Sequence, residues 1–191
     1  KDYFSNTKII NMKKEQQVVS KEEKISSFIE TENKGYVLEF YVNSNDIESL
    51  KTILKLHPEH VDTYNTEYFG ETPLFNATET DNYEISKFLL EKGADVDAAN
   101  FEDNTTPLIN SSYNNNTKIT QLLLDYDAKI NKTNKYGDTA LHWACRQGYI
   151  DIVKLLLDYD ADPNIENRFA GINTPLGIAE REGHTEIVSL L

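Results

Sequence analysis

The chain has 191 residues and a formal charge of -13, from 19 basic and 32 acidic side chains, and this length suits one compact unit. Its 39% hydrophobic and 27% charged content is too apolar for a disordered chain, yet no apolar run approaches the ~20 residues of a membrane span, so a soluble protein is expected. The acidic balance argues against nucleic acid and anionic membrane surfaces and for a basic partner, and the single Cys145 excludes a disulfide framework, a multi-cysteine zinc site and an iron–sulfur cluster.

Residues 1–34 carry seven Lys against six acids, whereas the rest carries 12 basic and 26 acidic residues. The head is therefore read as an extension, mobile over 1–20, with a capping helix over 21–32 that sets Ile25, Phe28 and Ile29 on one side. A start at Lys1 rather than Met is expected of a trimmed chain or of a mature form that has lost a leader.

Beyond the head the sequence repeats. T-P-L-F at Thr72, T-P-L-I at Thr106, T-A-L-H at Thr139 and T-P-L-G at Thr174 recur at spacings of 34, 33 and 35 residues. Each predicts a helix start: Thr accepts free amide protons from the N-cap position, and Pro73, Pro107 and Pro175 occupy the first helical residue, where no N–H is needed. A second ladder, Ile85, Ile119, Ile152 and Ile187, follows each Thr by 13 residues and leads into leucine runs with one apolar face, which predicts a second helix per repeat. Asp81, Asn115, Gly148 and Gly183 separate the two helices and suit a sharp turn. G-A-D-V-D from Gly93, D-A-K-I-N from Asp127 and D-A-D-P-N from Asp160 then lead into polar linkers, read as protruding hairpin loops.

These residues resemble the ankyrin repeat, with its period near 33 and its T-P-L-H-x-A signature; the stretch from Gly137 to Leu157 is nearest to the pattern. The resemblance implies an all-α solenoid of stacked helix–turn–helix units with protruding hairpins over 35–191, in units of about 35–62, 63–97, 98–131, 132–164 and 165–191. The first unit is degenerate: a helix around 35–42, then N-D-I-E-S-L-K-T-I-L from Asn45 aligned with G-Y-I-D-I-V-K-L-L-L, without the T-P-L signature. The last stops inside its second helix at Leu191, either cut short or a natural cap. Asp127 and Asp160 replace the family's glycine at two helix ends, which predicts some strain. Phe101 and Phe169 lie in longer linkers, whose hairpins are expected to protrude differently. In the family the signature His ties neighbouring units; only His142 keeps it, with Phe75, Ile109 and Gly177 elsewhere, so weaker polar ties between units are expected.

Chemistry is sparse. His142 and Cys145 lie three apart on one helix, the spacing of a thiolate–imidazole pair, but the resemblance makes them a tie and a small packing residue. Asp158–Asp162 imitates half a calcium loop, with Pro163 where a turning Gly is needed and Phe169 where a bidentate Glu is needed. His57 and His60, with Asp62 close by, have ligand-like spacing in a loop too short to fill a metal shell, and an exposed, solvated loop is expected. No phosphate loop, nucleophile elbow or His-Glu-x-x-His occurs. Neither a cofactor nor a metal is expected.

What remains is the concave surface that repeat proteins use for binding, made by first helices and hairpins. The variable positions there hold Tyr68, Phe69 and Glu71; Phe101, Glu102 and Asp103; Lys135, Tyr136 and Asp138; Arg168, Phe169 and Ile172; the first helices add Glu79, Tyr113, Arg146 and Arg181, with Trp143 partly on the same face. Aromatics and arginines dominate interface energetics, so the expected partner-binding residues are Tyr68, Phe69, Glu71, Phe101, Tyr113, Lys135, Tyr136, Trp143, Arg146, Arg168, Phe169 and Arg181. The alternative for the aromatics is a stack that stiffens the array. The expected function is a non-catalytic interaction module, scaffold or adaptor, itself monomeric, binding a basic or mixed protein surface but neither nucleic acid nor membrane, with the cytoplasm favoured over export. A second reading makes it the regulatory or targeting domain of a larger enzyme or secreted effector.

Overall fold

The computed structural model describes residues 34–66, 69–169 and 173–191, together with Glu23, Lys24 and Ser27. Apart from these three and Lys34, the expected extension and its helix over 21–32 lie outside the described residues, as does Tyr68. Ten α-helices follow in five consecutive pairs: α1 Lys34–Asn43 with α2 Ile47–Leu56, α3 Pro73–Glu79 with α4 Tyr83–Glu91, α5 Pro107–Tyr113 with α6 Thr117–Asp125, α7 Ala140–Gln147 with α8 Ile150–Asp158, and α9 Pro175–Glu182 with α10 Thr185–Val188. No strand occurs among the described residues.

Thr72, Thr106, Thr139 and Thr174 are N-caps in extended conformation, each side chain accepting the amide proton three residues on, from Phe75, Ile109, His142 and Gly177. The helices of each pair are separated by one left-handed residue, Asn45, Asp81, Asn115, Gly148 or Gly183. The next amide then reaches back five residues, from Asn82 to the Ala77 carbonyl, Asn116 to Ser111, Tyr149 to Ala144 and His184 to Ala179, which satisfies carbonyls the helix end would leave bare. Asp127 and Asp160 do adopt the left-handed conformation of the glycine they replace, at φ 61° and 62°.

The first helices form an inner row, α1–α3–α5–α7–α9, in which each packs on the next, and α4, α6, α8 and α10 form a looser outer row. The inner row packs tightly because its facing positions are small: Ala77, Ser111, Ala144 and Ala179, all fully buried, stand five residues after each Thr. Ile85, Ile119 and Ile152 with Leu89, Leu123 and Leu156, each with no exposed surface, fill the seam between rows. One continuous core therefore runs the length of the stack.

The expectation of weak polar ties between units is corrected. The last residue of each loop accepts the backbone N–H of the third residue of the following loop: Asp62 from Asp95 at 3.0 Å, Asp97 from Lys129 at 3.0 Å, Asn131 from Asp162 at 2.9 Å. Asn110 donates to the Thr78 hydroxyl and Asn116 to its carbonyl, and Asn82 donates to Asn45. Short polar side chains placed once per repeat thus do the work of the missing histidines. His142 itself accepts the Thr139 N–H at Nδ1, which puts its proton on Nε2, and that N–H donates to the Asn173 carbonyl of the next unit at 3.1 Å.

Candidate functional site

Four hairpins connect the pairs, and an asparagine starts each. The N–H groups of Asn65, Asn100, Asn134 and Asn167 donate to the carbonyls of Glu71, Thr105, Asp138 and Asn173, the residues just before the capping threonines. The side-chain oxygens of Asn100, Asn134 and Asn167 accept amides within the turn. Neighbouring hairpins are then joined through their backbones, Phe101 N–H to the Phe69 carbonyl at 2.9 Å, Lys135 to Asp103 at 2.7 Å and Arg168 to Tyr136 at 2.8 Å. The described hairpin residues are thereby tied to one another, so side chains they carry on the inner side keep their spacing.

Those side chains are largely aromatic and exposed. Phe69, Phe101 and Phe169 keep 53%, 64% and 54% of their surface, and Tyr113 and Tyr136 are also exposed. Phe101 stacks on Tyr64 at 4.4 Å and lies against Gly70, where a Cβ would come within 2.0 Å of the ring at a left-handed φ of 65°. Phe169 stacks on Tyr136 at 6.0 Å, and Tyr113 meets Trp143 edge-on at 5.0 Å. Stacking and exposure occur together, so the aromatics stiffen the array and still present a face.

Two cavities open on this face, with Trp143 as their shared wall. One, of about 290 Å³, is lined by Phe69, Glu71, Glu79, Glu102, Asp103 and Tyr113 among others. The second, of about 350 Å³, lies between Tyr136, Asp138, Arg146, Phe169 and Arg181. In it the Arg146 guanidinium sits 4.4 Å from the Trp143 ring centroid and donates to both carboxylate oxygens of Asp138 at 3.3–3.4 Å. Asp138 is 1% exposed and also accepts from Asn167 of the next unit at 2.7 Å.

Of the expected binding residues, Phe69, Glu71, Tyr113 and Trp143 meet in the first cavity, and Tyr136, Arg146, Phe169 and Arg181 join Trp143 in the second. Phe101 lines neither cavity and stacks on Tyr64 while remaining exposed, and Arg168 is exposed with its backbone tied to Tyr136. Lys135 lies over the Tyr136 ring while its Nζ donates to the Glu102 carbonyl at 2.7 Å. Arg146, another of the expected residues, has its charge matched by buried Asp138. Left out of the expected set were Glu79, Glu102 and Asp103, which wall the first cavity although their positions are plain in the repeat register.

Burial pushes the Glu71 carboxyl up to about 7, with repulsion from Glu79, Glu39 and Glu102 adding to it and the Asn76 amide, which donates to it at 2.6 Å, opposing. A carboxyl raised in the folded state contributes stability that is full below its unfolded value near 4.5 and is lost as pH rises through about 7. Glu71→Gln should therefore raise the urea midpoint relative to the parent at pH 8 and leave it unchanged at pH 4. Urea titrations of both proteins at the two pH values check this, and an equal gain at both would contradict it.

The geometry of the other candidate groups does not assemble a reactive centre. Cys145 has no exposed surface and burial pushes its thiol up to about 12, while both His142 nitrogens are committed to Thr139 and Asn173 and burial holds its imidazole below the usual range. Burial therefore disfavours both charged forms that a thiolate–imidazolium pair requires. In Asp158–Asp162, Asp160 supplies the left-handed turn after α8 and Asp162 closes its own turn onto the Asn164 N–H, so the carboxylates do not converge. At 57–60 the expected exposed loop is corrected: His60 is buried, its ring stacks on His57, and ligand atoms of His57, Glu59 and His60 lie within 4.8 Å of one another. Asp62 turns away to Asp95 instead. The three come from a single short turn, one ligand fewer than a structural zinc site takes from protein.

No helix among the described residues is long and apolar enough to cross a membrane. Among curated proteins none matches the chain. The family described as ankyrin repeats (3 copies) matches over residues 38–134 and 96–167. Ankyrin repeats are generally protein–protein interaction modules and typically carry no catalytic centre. Threonine-capped inner helices, leucine-rich outer helices and ladder-joined hairpins, repeated in the register that this match covers, place the chain in the ankyrin-repeat family.

Proposed function

We propose that the chain is a non-catalytic adaptor that binds a partner protein along the inner face formed by the first helices and hairpins. The observation that carries this reading is the pair of aromatic-walled cavities on either side of Trp143, held at fixed spacing by the hairpin ladder. Exposed aromatic surface of this kind favours an interface over a solvated face. The first of the two cavities is lined by Glu71, Glu79, Glu102 and Asp103 with no Lys or Arg, which favours a basic partner there.

Affinity capture from lysate of the source cell, with the intact chain and a Phe69→Ala/Tyr136→Ala variant side by side, tests this. Both side chains are exposed, so helical content should be unchanged, and a specific partner should be retained by the first and lost by the second. Arg146 is left alone because its removal would strip the charge partner from Asp138. A control variant, Tyr126→Ala, alters an exposed aromatic at the end of an outer helix and should retain the partner. Capture that survives the double change, or that fails equally in the control, overturns the inner-face reading.

A further inference from the structure

We propose that the cavity walled by Phe69, Tyr113 and Trp143 receives an arginine side chain projected by the partner protein. This rests on the inner-face reading and names what enters it. The cavity combines three aromatic walls with four carboxylates, Glu71, Glu79, Glu102 and Asp103, and among the described residues that line it there is neither Lys nor Arg. Its volume of about 290 Å³ equals that of on the order of ten waters, room for one long side chain with its methylene stem.

The molecule itself shows what such a set of groups holds. In the neighbouring cavity Arg146 lies over the Trp143 ring and forks onto Asp138, so an aromatic wall and a carboxylate are completed by a guanidinium from the same chain. The first cavity presents the same wall residue and more carboxylates, with the cation still to come. Lys135 does not line the cavity; it lies over Tyr136 with its Nζ on the Glu102 backbone carbonyl. Arginine suits the site better than lysine because a planar guanidinium can stack on a ring and fork onto carboxylates at once.

Glu71 in particular stands among like charges. Glu71 faces Glu39 from α1, Glu79 and Asn76 from α3 and Glu102 from the next hairpin, and of these only Asn76 is a donor to it. Bringing in a guanidinium removes this mutual repulsion and draws Glu71 into its ionised form, so binding should strengthen as pH rises from 6 to 8.

Trp143 is the only tryptophan in the chain, so its indole N–H gives one assigned resonance at the cavity wall. Nα-acetyl-arginine amide, titrated into the 15N-labelled chain, should shift that resonance saturably; the lysine analogue should bind more weakly, and the neutral isostere Nα-acetyl-citrulline amide should leave it in place. Glu71→Gln/Glu102→Gln should weaken the arginine probe by roughly fivefold or more, two partly solvated ion pairs being lost. Glu84→Gln/Glu91→Gln, which removes the same charge from the exposed side of α4, should change it little. Between pH 6 and pH 8 the affinity should rise roughly threefold in the parent and stay flat in Glu71→Gln. An equal shift with citrulline, an equal loss in the α4 control, or no saturable shift with the arginine probe overturns the proposal. The two readings fail separately. Partner capture that depends on Phe69 and Tyr136 without any arginine response leaves the inner face standing and removes its occupant. An arginine response with no inner-face partner leaves a guanidinium site and removes the adaptor.

Discussion

Leu123→Ala is expected to cost the folded chain about 3–4 kcal/mol. Leu123 sits on α6, the outer helix of the middle pair, has no exposed surface, and lies between the equivalent leucines Leu89 and Leu156. Deleting its three carbons removes their burial and leaves a void with packed units on both sides, so neither neighbour can close in without breaking its own contacts. In a stack held by nearest-neighbour interfaces a central defect weakens two of them at once. Leu56, at the end of α2, is exposed, and Leu56→Ala should cost about 1 kcal/mol or less. Urea unfolding followed by helical circular dichroism compares the two. Equal losses would show that the core is not shared between units in the way the burial pattern implies.

The second large effect is expected at Asp138. Its carboxylate is almost fully buried, matches the Arg146 charge and accepts the Asn167 amide of the following hairpin. Asp138→Ala removes an acceptor shared by two units and leaves a largely buried guanidinium without its counter-charge, a change expected to cost about 3 kcal/mol. Asp138→Asn keeps an acceptor for Asn167 but not the charge, and should fall between the parent and the alanine variant. A double-mutant cycle with Asn167→Ala isolates the tie between units: a coupling near zero would show that the 2.7 Å contact holds nothing together.

Much of the fold is legible in the sequence because its determinants are local or periodic. A threonine followed by proline fixes a helix start within four residues, and one apolar stripe per 33 residues fixes the outer helices whatever the neighbouring unit does. The binding face was legible only by register. Knowing that Tyr113 and Trp143 stand on successive inner helices does not reveal that their rings meet edge-on, nor that Arg146, eight residues beyond Asp138, folds back onto it. Side chains that reach another unit depend on rotamers and on hairpin height, neither of which a repeat alignment contains. The loop ties escaped for a different reason. Asp62, Asp97 and Asn131 look like ordinary turn residues, and their role depends on the facing amide in the following loop. The asparagines that start the hairpins were visible at intervals but stand seven, six, five and seven residues before their threonines, and that uneven spacing hides them from a search at fixed period.

Each of those ties reaches one unit along and none skips a unit, which governs how the molecule bears load. Tension applied between the two ends passes through every interface in series, so every seam bears the same force and the weakest parts first. A helix pair, not a single helix and not the whole stack, is then the quantum of mechanical failure, and a partner gripping two adjacent pairs across Trp143 would act as a splint over the seam between them.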